Sequence, residues 1–172
     1  MTTQSIATSI SRGSLRPNVR RTMGNIILML LTATSLMGAP KKPDFSGRWE
    51  LDQTRSQLRH MTKWDSLVLA IEHQDPRLNI SMTTKYSDGS DFTRLLPLTT
   101  DGKDVSMDGK GKSPRIYRAS WSGARLIVRW NEGAGITETW ILSPDGKTMT
   151  IAGSSSAADG KPESWKYVMM KK

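Results

Sequence analysis

From Asp65 onward, apolar and polar residues alternate one for one in short runs, and each run stops at a tight polar turn. Period two marks a strand with one buried and one wetted face, so this pattern limits the fold more than any other feature of the chain. Leu67, Leu69, Ile71 and His73 share one face, opposite Ser66, Val68, Ala70 and Glu72. Leu78, Ile80 and Met82 alternate with Arg77, Asn79 and Ser81, and Phe92, Leu96 and Leu98 share a face of a strand over 90–99. Tyr117, Ala119 and Trp121 oppose Ile116, Arg118 and Ser120. Leu126, Val128 and Trp130 form the next set, then Ile136, Glu138, Trp140 and Leu142, then Met149 and Ile151, and last Trp165, Tyr167 and Met169. The turns between them carry the residues that tolerate tight backbone geometry: Gln74-Asp75-Pro76, Ser87-Asp88-Gly89, Asp101-Gly102, Ser122-Gly123, Pro144-Asp145-Gly146 and Ala158-Asp159-Gly160.

An earlier strand is expected over Phe45–Leu51, with Phe45, Gly47, Trp49 and Leu51 on one face. The total is about ten strands joined by short links. No helix between them is long enough for a parallel crossover, so sequential antiparallel hairpins are expected. A meander of this length must hide its edges, and closing into a barrel does so. The expected fold is therefore all-β: an antiparallel up-and-down barrel of about 8–10 strands. Pro97 lacks a backbone donor and marks an edge, a bulge or a strand end. Residues 53–64 lack clean alternation and read as a helical turn or an irregular cover over one barrel end, with Asp52 or Thr54 as its cap.

The amino-terminal part differs in kind. Residues 1–24 are polar, rich in Ser and Thr, and free of acid, and residues 26–37 form a short apolar run ending near Gly38-Ala39. A basic region, an apolar region of about 7–15 residues and small residues before a polar stretch make a secretory signal, whereas a spanning helix needs about 20 apolar residues. The expected organisation is a signal peptide over 1–39, a linker over 40–43 and one domain over 44–172, exported to the periplasm or the cell exterior. An uncleaved anchor is the alternative reading of the first segment; with cleavage, no stable membrane span remains. Arg12, Arg16, Arg20 and Arg21 lie in it, so nearly half of the chain's net charge of +9 belongs there. In the remainder Lys and Arg are scattered beside Asp and Glu, without the clustered basic face that nucleic-acid binding wants. The chain has no cysteine, which excludes disulfides, thiolate metal sites, a cysteine nucleophile and a lipidated cysteine.

Four stretches carry a family resemblance: Asp44-Phe45-Ser46-Gly47-Arg48-Trp49-Glu50-Leu51-Asp52, Leu69–Leu78, Trp121–Val128 and Trp140–Thr150. Together they resemble small exported bacterial proteins of the lipocalin-like, calycin type. The likeness implies a barrel closed at one end by Gly47 and Trp49, and a small apolar ligand. In lipocalins an arginine of the last strand packs across that tryptophan; here the last strand offers Lys161, Lys166, Lys171 and Lys172. A ten-stranded barrel like that of the fatty-acid-binding proteins stays open as an alternative.

Reactive chemistry finds little support. His60 and His73 are the two histidines, and zinc usually takes three or four protein ligands. His73 lies beside Glu72 and Asp75 at a turn, where acids serve as solvated turn residues. There is no Gly-x-Ser-x-Gly elbow, and Gly109-Lys110-Gly111-Lys112 lacks phosphate-loop spacing. No catalytic residue, metal or cofactor is expected. The aromatic set is more telling. Tyr117, Trp121, Trp130, Trp140 and Trp165 fall on neighbouring strands, and with Met82 they form either a plain core or the wall of an apolar pocket in which Arg118 or Glu138 orients a ligand. The expected function is non-catalytic binding or carriage of a small apolar molecule. The alternative is an envelope interaction module with a filled barrel and an unassigned protein partner. An enzyme using acids at the barrel mouth ranks last.

Overall fold

Ten strands follow one another with no helix longer than a single turn among the described residues: β1 (Gly47–Leu51), β2 (Trp64–Gln74), β3 (Arg77–Tyr86), β4 (Asp91–Thr99), β5 (Asp101–Gly109), β6 (Lys112–Ser122), β7 (Arg125–Trp130), β8 (Ile136–Leu142), β9 (Thr148–Ser156) and β10 (Pro162–Lys171). This computed structural model describes residues 41–59, 64–109, 112–130, 135–156 and 162–172. The expected signal segment over 1–39, Pro40 of the linker, His60 and the turn residues at 110–111, 131–134 and 157–161 lie outside them.

Each strand pairs antiparallel with its sequence neighbours, except that β1 pairs with β10 and no ladder joins β4 to β5. The meander thus joins its first and last strands and stays split between β4 and β5, which follow one another across Thr100. The split explains Pro97. It sits inside β4, opposite Asn79 of β3, on a strand with a free edge where a missing donor costs no ladder bond. Asp101-Gly102, expected as a turn, is instead absorbed into β5. Gly102 adopts φ of +80°, and the register with β6 shifts between Asp101 and Asp104, so the extra residue is taken up as a bulge.

From Asp52 to Gln57 the chain keeps to β10. Asp52 caps a 3-10 turn over Gln53–Arg55, accepting from the Thr54 and Arg55 amides. The Ser56 hydroxyl then accepts from the Val168 amide, and Gln57 pairs with Lys166. This path brings Arg59 to the end of the barrel opposite the start of β1.

The interior has two halves. Around the start of β1 it is filled: Phe45, Trp49, Leu78, Leu126, Met149 and Met169 are essentially inaccessible to solvent. The Trp49 indole donates to the Phe45 carbonyl at 2.8 Å. Gly47 adopts φ of +129°, and an added Cβ would come within 2.7 Å of the Lys171 side chain. That lysine reaches over Trp49, its Nζ 5.3 Å from the ring centroid. A last-strand lysine therefore covers the tryptophan, through cation–π attraction.

Candidate functional site

Toward the other end the inward faces of the strands leave a cavity of about 280 Å³. Its wall is mostly apolar, with Leu69, Ile80, Leu96, Val128 and Ile151 alongside aromatic rings. Among the described residues, three charged side chains reach it: Arg59, Arg94 and Glu138.

Glu138 follows from period two on β8: Ile136, Glu138 and Trp140 all point inward, so a carboxyl sits where the pattern otherwise calls for an apolar group. It is 7% exposed. Trp140 Nε1 donates to its Oε2 at 3.0 Å, and Trp165 Nε1 donates to its Oε1 at 3.2 Å. Burial pushes its pKa up to about 7, against the pull of the two indoles and of Arg59. Trp165 can approach because β9 offers Gly153 beneath it. The Trp165 ring occupies the space that a Cβ on Gly153 would need. Gly153→Ala is therefore expected to tilt Trp165 away from Glu138 and to destabilise the protein by about 1–3 kcal/mol. Near-ultraviolet circular dichroism and a urea titration would read both effects, and an unchanged spectrum with unchanged stability would refute this account.

Arg59 lies over the Trp165 ring, 4.7 Å from its centroid, and pairs with Glu163 at 3.1 Å. Arg94 sits at the rim, 5.6 Å from the Phe92 centroid, and Phe92 itself is 41% exposed. The two arginines thus stand at the mouth while the carboxyl stands inside.

Met82, Tyr117, Trp130, Glu138, Trp140 and Trp165 all line the cavity. Two residues expected there do not. Arg118 is on the outer face of β6, where its guanidinium grips Asp104 at 2.7 and 3.0 Å. Alternation from Tyr117 already requires that orientation. Trp121 points inward but at the filled end, stacked on Phe45 with centroids 6.0 Å apart and planes 14° apart, its indole donating to Asp75. Conversely, Arg59, Trp64 and Arg94 line the cavity without having been anticipated. Arg94 was legible, since it lies between Phe92 and Leu96 on the same alternating face. Arg59 carried no periodic signal.

His73 lies at the filled end between Asp44, 3.7 Å from its Nδ1, and Asp75, 4.0 Å from its Nε2. Glu72 is exposed on the outer face. His73 is buried, its Nδ1 accepting from the Phe45 amide at 3.3 Å, and burial lowers its pKa. Among the described residues its Nε2 finds no hydrogen-bond partner. Asp75 is held at about 2, first by its hydrogen bond from Lys42 and next by that from the Thr100 hydroxyl, with the Trp121 indole adding to them. Among the described residues no three of His, Asp and Glu gather as a metal site, and no helix is long and apolar enough to cross a membrane.

Solved structures match this arrangement over nearly their whole length. Secretory abundant heat soluble protein 4 from Ramazzottius varieornatus is 14% identical, with 78% of this chain and 96% of that one covered and a TM-score of 0.53. The REP1-NXSQ fatty acid transporter is 10% identical, covering 75% and 96%, with a TM-score of 0.51. The fold is a calycin-type barrel. A zebrafish ileal bile-acid-binding protein complexed with cholic acid aligns more loosely, with 16% identity, coverage of 74% and 98%, and a TM-score of 0.47. No family model matches the chain, and no curated protein sequence matches it significantly. In this calycin-type barrel the interior is half-filled, with one end plugged by Trp49 and the other half hollow around Glu138.

Proposed function

We propose that the protein is an exported, non-catalytic barrel that binds or carries one small, mainly apolar molecule in the cavity beside Glu138. The observation that carries this reading is the hollow half of the interior. Its walls are apolar and aromatic, its volume of about 280 Å³ is just under the usual range for ligand pockets and suits a small molecule, and a few polar groups converge on it. A fatty acid transporter of the same fold supports the reading. Export draws on the basic, apolar and small-residue order of residues 1–39. An interaction module with a filled barrel would leave no such space.

The test is a titration with the neutral dye N-phenyl-1-naphthylamine, followed by dye emission and by quenching of the barrel's tryptophans. Saturable one-to-one binding is expected, weakened at least tenfold by Val128→Phe, which fills the cavity from a buried lining position. A dye site that never saturates, or one indifferent to Val128→Phe, would sink the proposal. Native mass spectrometry of gently purified protein would show any retained molecule directly.

A further inference from the structure

Resting on the cavity being a binding site, we infer that Glu138 selects its ligand: an apolar molecule whose head group donates a hydrogen bond, a primary amine above all and a hydroxyl next, with carboxylate lipids disfavoured. The geometry carries this. Each oxygen of Glu138 accepts one indole hydrogen, which fixes the carboxyl plane and leaves a further lone pair on each. The indoles come from Trp140 of β8 and Trp165 of β10. Glu138 lines the cavity itself, so a donor entering it can reach those free lone pairs. A buried acceptor gains most from a partner that the apolar wall cannot supply.

The cations do not reverse this preference. Arg59 is already committed to Glu163 at 3.1 Å and to the Trp165 face. Arg94 stands at the rim over Phe92. A carboxylate drawn to the rim would leave its tail against Glu138, and one that entered would face a like charge. An ammonium or hydroxyl head avoids both penalties, and its chain packs on Val128, Ile151 and Ile80.

The experiment measures displacement of N-phenyl-1-naphthylamine from the full chain at pH 8 by octylamine, octanol and octanoate, which share one chain and differ in the head. Octylamine is expected to bind at least tenfold tighter than octanoate, with octanol between them. Glu138→Gln, which keeps an acceptor for one indole and removes the charge, is expected to bring octylamine to within about threefold of octanol. Retained dye binding by this variant reports that its cavity is intact; if it fails to bind the dye, the ranking in Val128→Ile serves with the wild-type ranking as the readout. Octanoate binding as tightly as octylamine would overturn the inference while leaving the binding function standing. Failure of the dye and of all three ligands to bind the wild-type protein would overturn both.

Discussion

Trp49→Ala is expected to cost about 3–5 kcal/mol of stability, the range for truncating a fully buried aromatic side chain in a core that cannot collapse around the gap. The ring is completely buried, and its neighbours at the filled end are as tightly enclosed. Its loss removes more than contact area. The Phe45 carbonyl gives up the indole donor at 2.8 Å, and Lys171 loses the ring beneath its ammonium. Trp49 and Lys171 face each other in the β1–β10 ladder that joins the first and last strands. Urea denaturation followed by far-ultraviolet circular dichroism measures the effect. Trp130→Ala is the comparison, because Trp130 is only half-buried on the hollow side. A Trp49→Ala loss no larger than that of Trp130→Ala would show that the plugged end does not hold the barrel shut.

The second large effect is a dependence of stability on pH through Glu138. Its pKa in the folded protein is about 7, against an ordinary carboxyl value of 4.5. Between those values the folded state holds a proton that the unfolded chain has released, so stability falls as pH rises through this window. The full penalty amounts to about 3 kcal/mol and is reached above pH ~7, since each tenfold change in proton affinity corresponds to about 1.4 kcal/mol. Below pH ~4.5 both states are protonated and the penalty vanishes. His73 works in the opposite direction, because burial lowers its pKa and the folded state resists protonation as pH falls below 6.5. The lowered carboxyls, Asp75 at about 2 among them, lose their contribution only at more acid pH. Comparing the wild-type protein with Glu138→Gln isolates the carboxyl. The variant is expected to gain stability relative to wild type by about 3 kcal/mol between pH 4.5 and 7.5. A difference that stays flat across that range would mean that Glu138 does not titrate there.

This carboxyl links stability to the inferred ligand. A head group that donates to Glu138 stabilises the charged form that burial penalises. Ligand-induced stabilisation should therefore follow the same order as affinity, since anything that binds only the native state raises its stability by mass action.

The alternation of β2, β3, β6, β7, β8 and β10 was readable in the chain because it reports a local property: which side of the pleat a residue occupies. That property alone put Tyr117, Trp130, Glu138, Trp140 and Trp165 inside, and it would have put Arg118 outside and Arg94 at the cavity. Height along the barrel axis is a different quantity. Trp121 sits beside the Ser122-Gly123 turn and Trp130 at the far end of the same hairpin, so they end at opposite ends of the interior, but which end is filled depends on contacts such as Phe45 with Trp121, between strands far apart in sequence. Closure is of the same kind. Gly47 and Trp49 announced an end plug, but only the pairing of β1 with β10 brought Lys171 over the indole, and only the missing ladder between β4 and β5 made Pro97 harmless. Strand periodicity is written in neighbouring positions, so an antiparallel meander and most of its inward residues were legible in the chain, while the split between β4 and β5 was not. The tertiary structure decided which half is filled, which tryptophans flank Glu138 and how strongly that carboxyl holds its proton, because those follow from burial and distance among residues the chain keeps far apart.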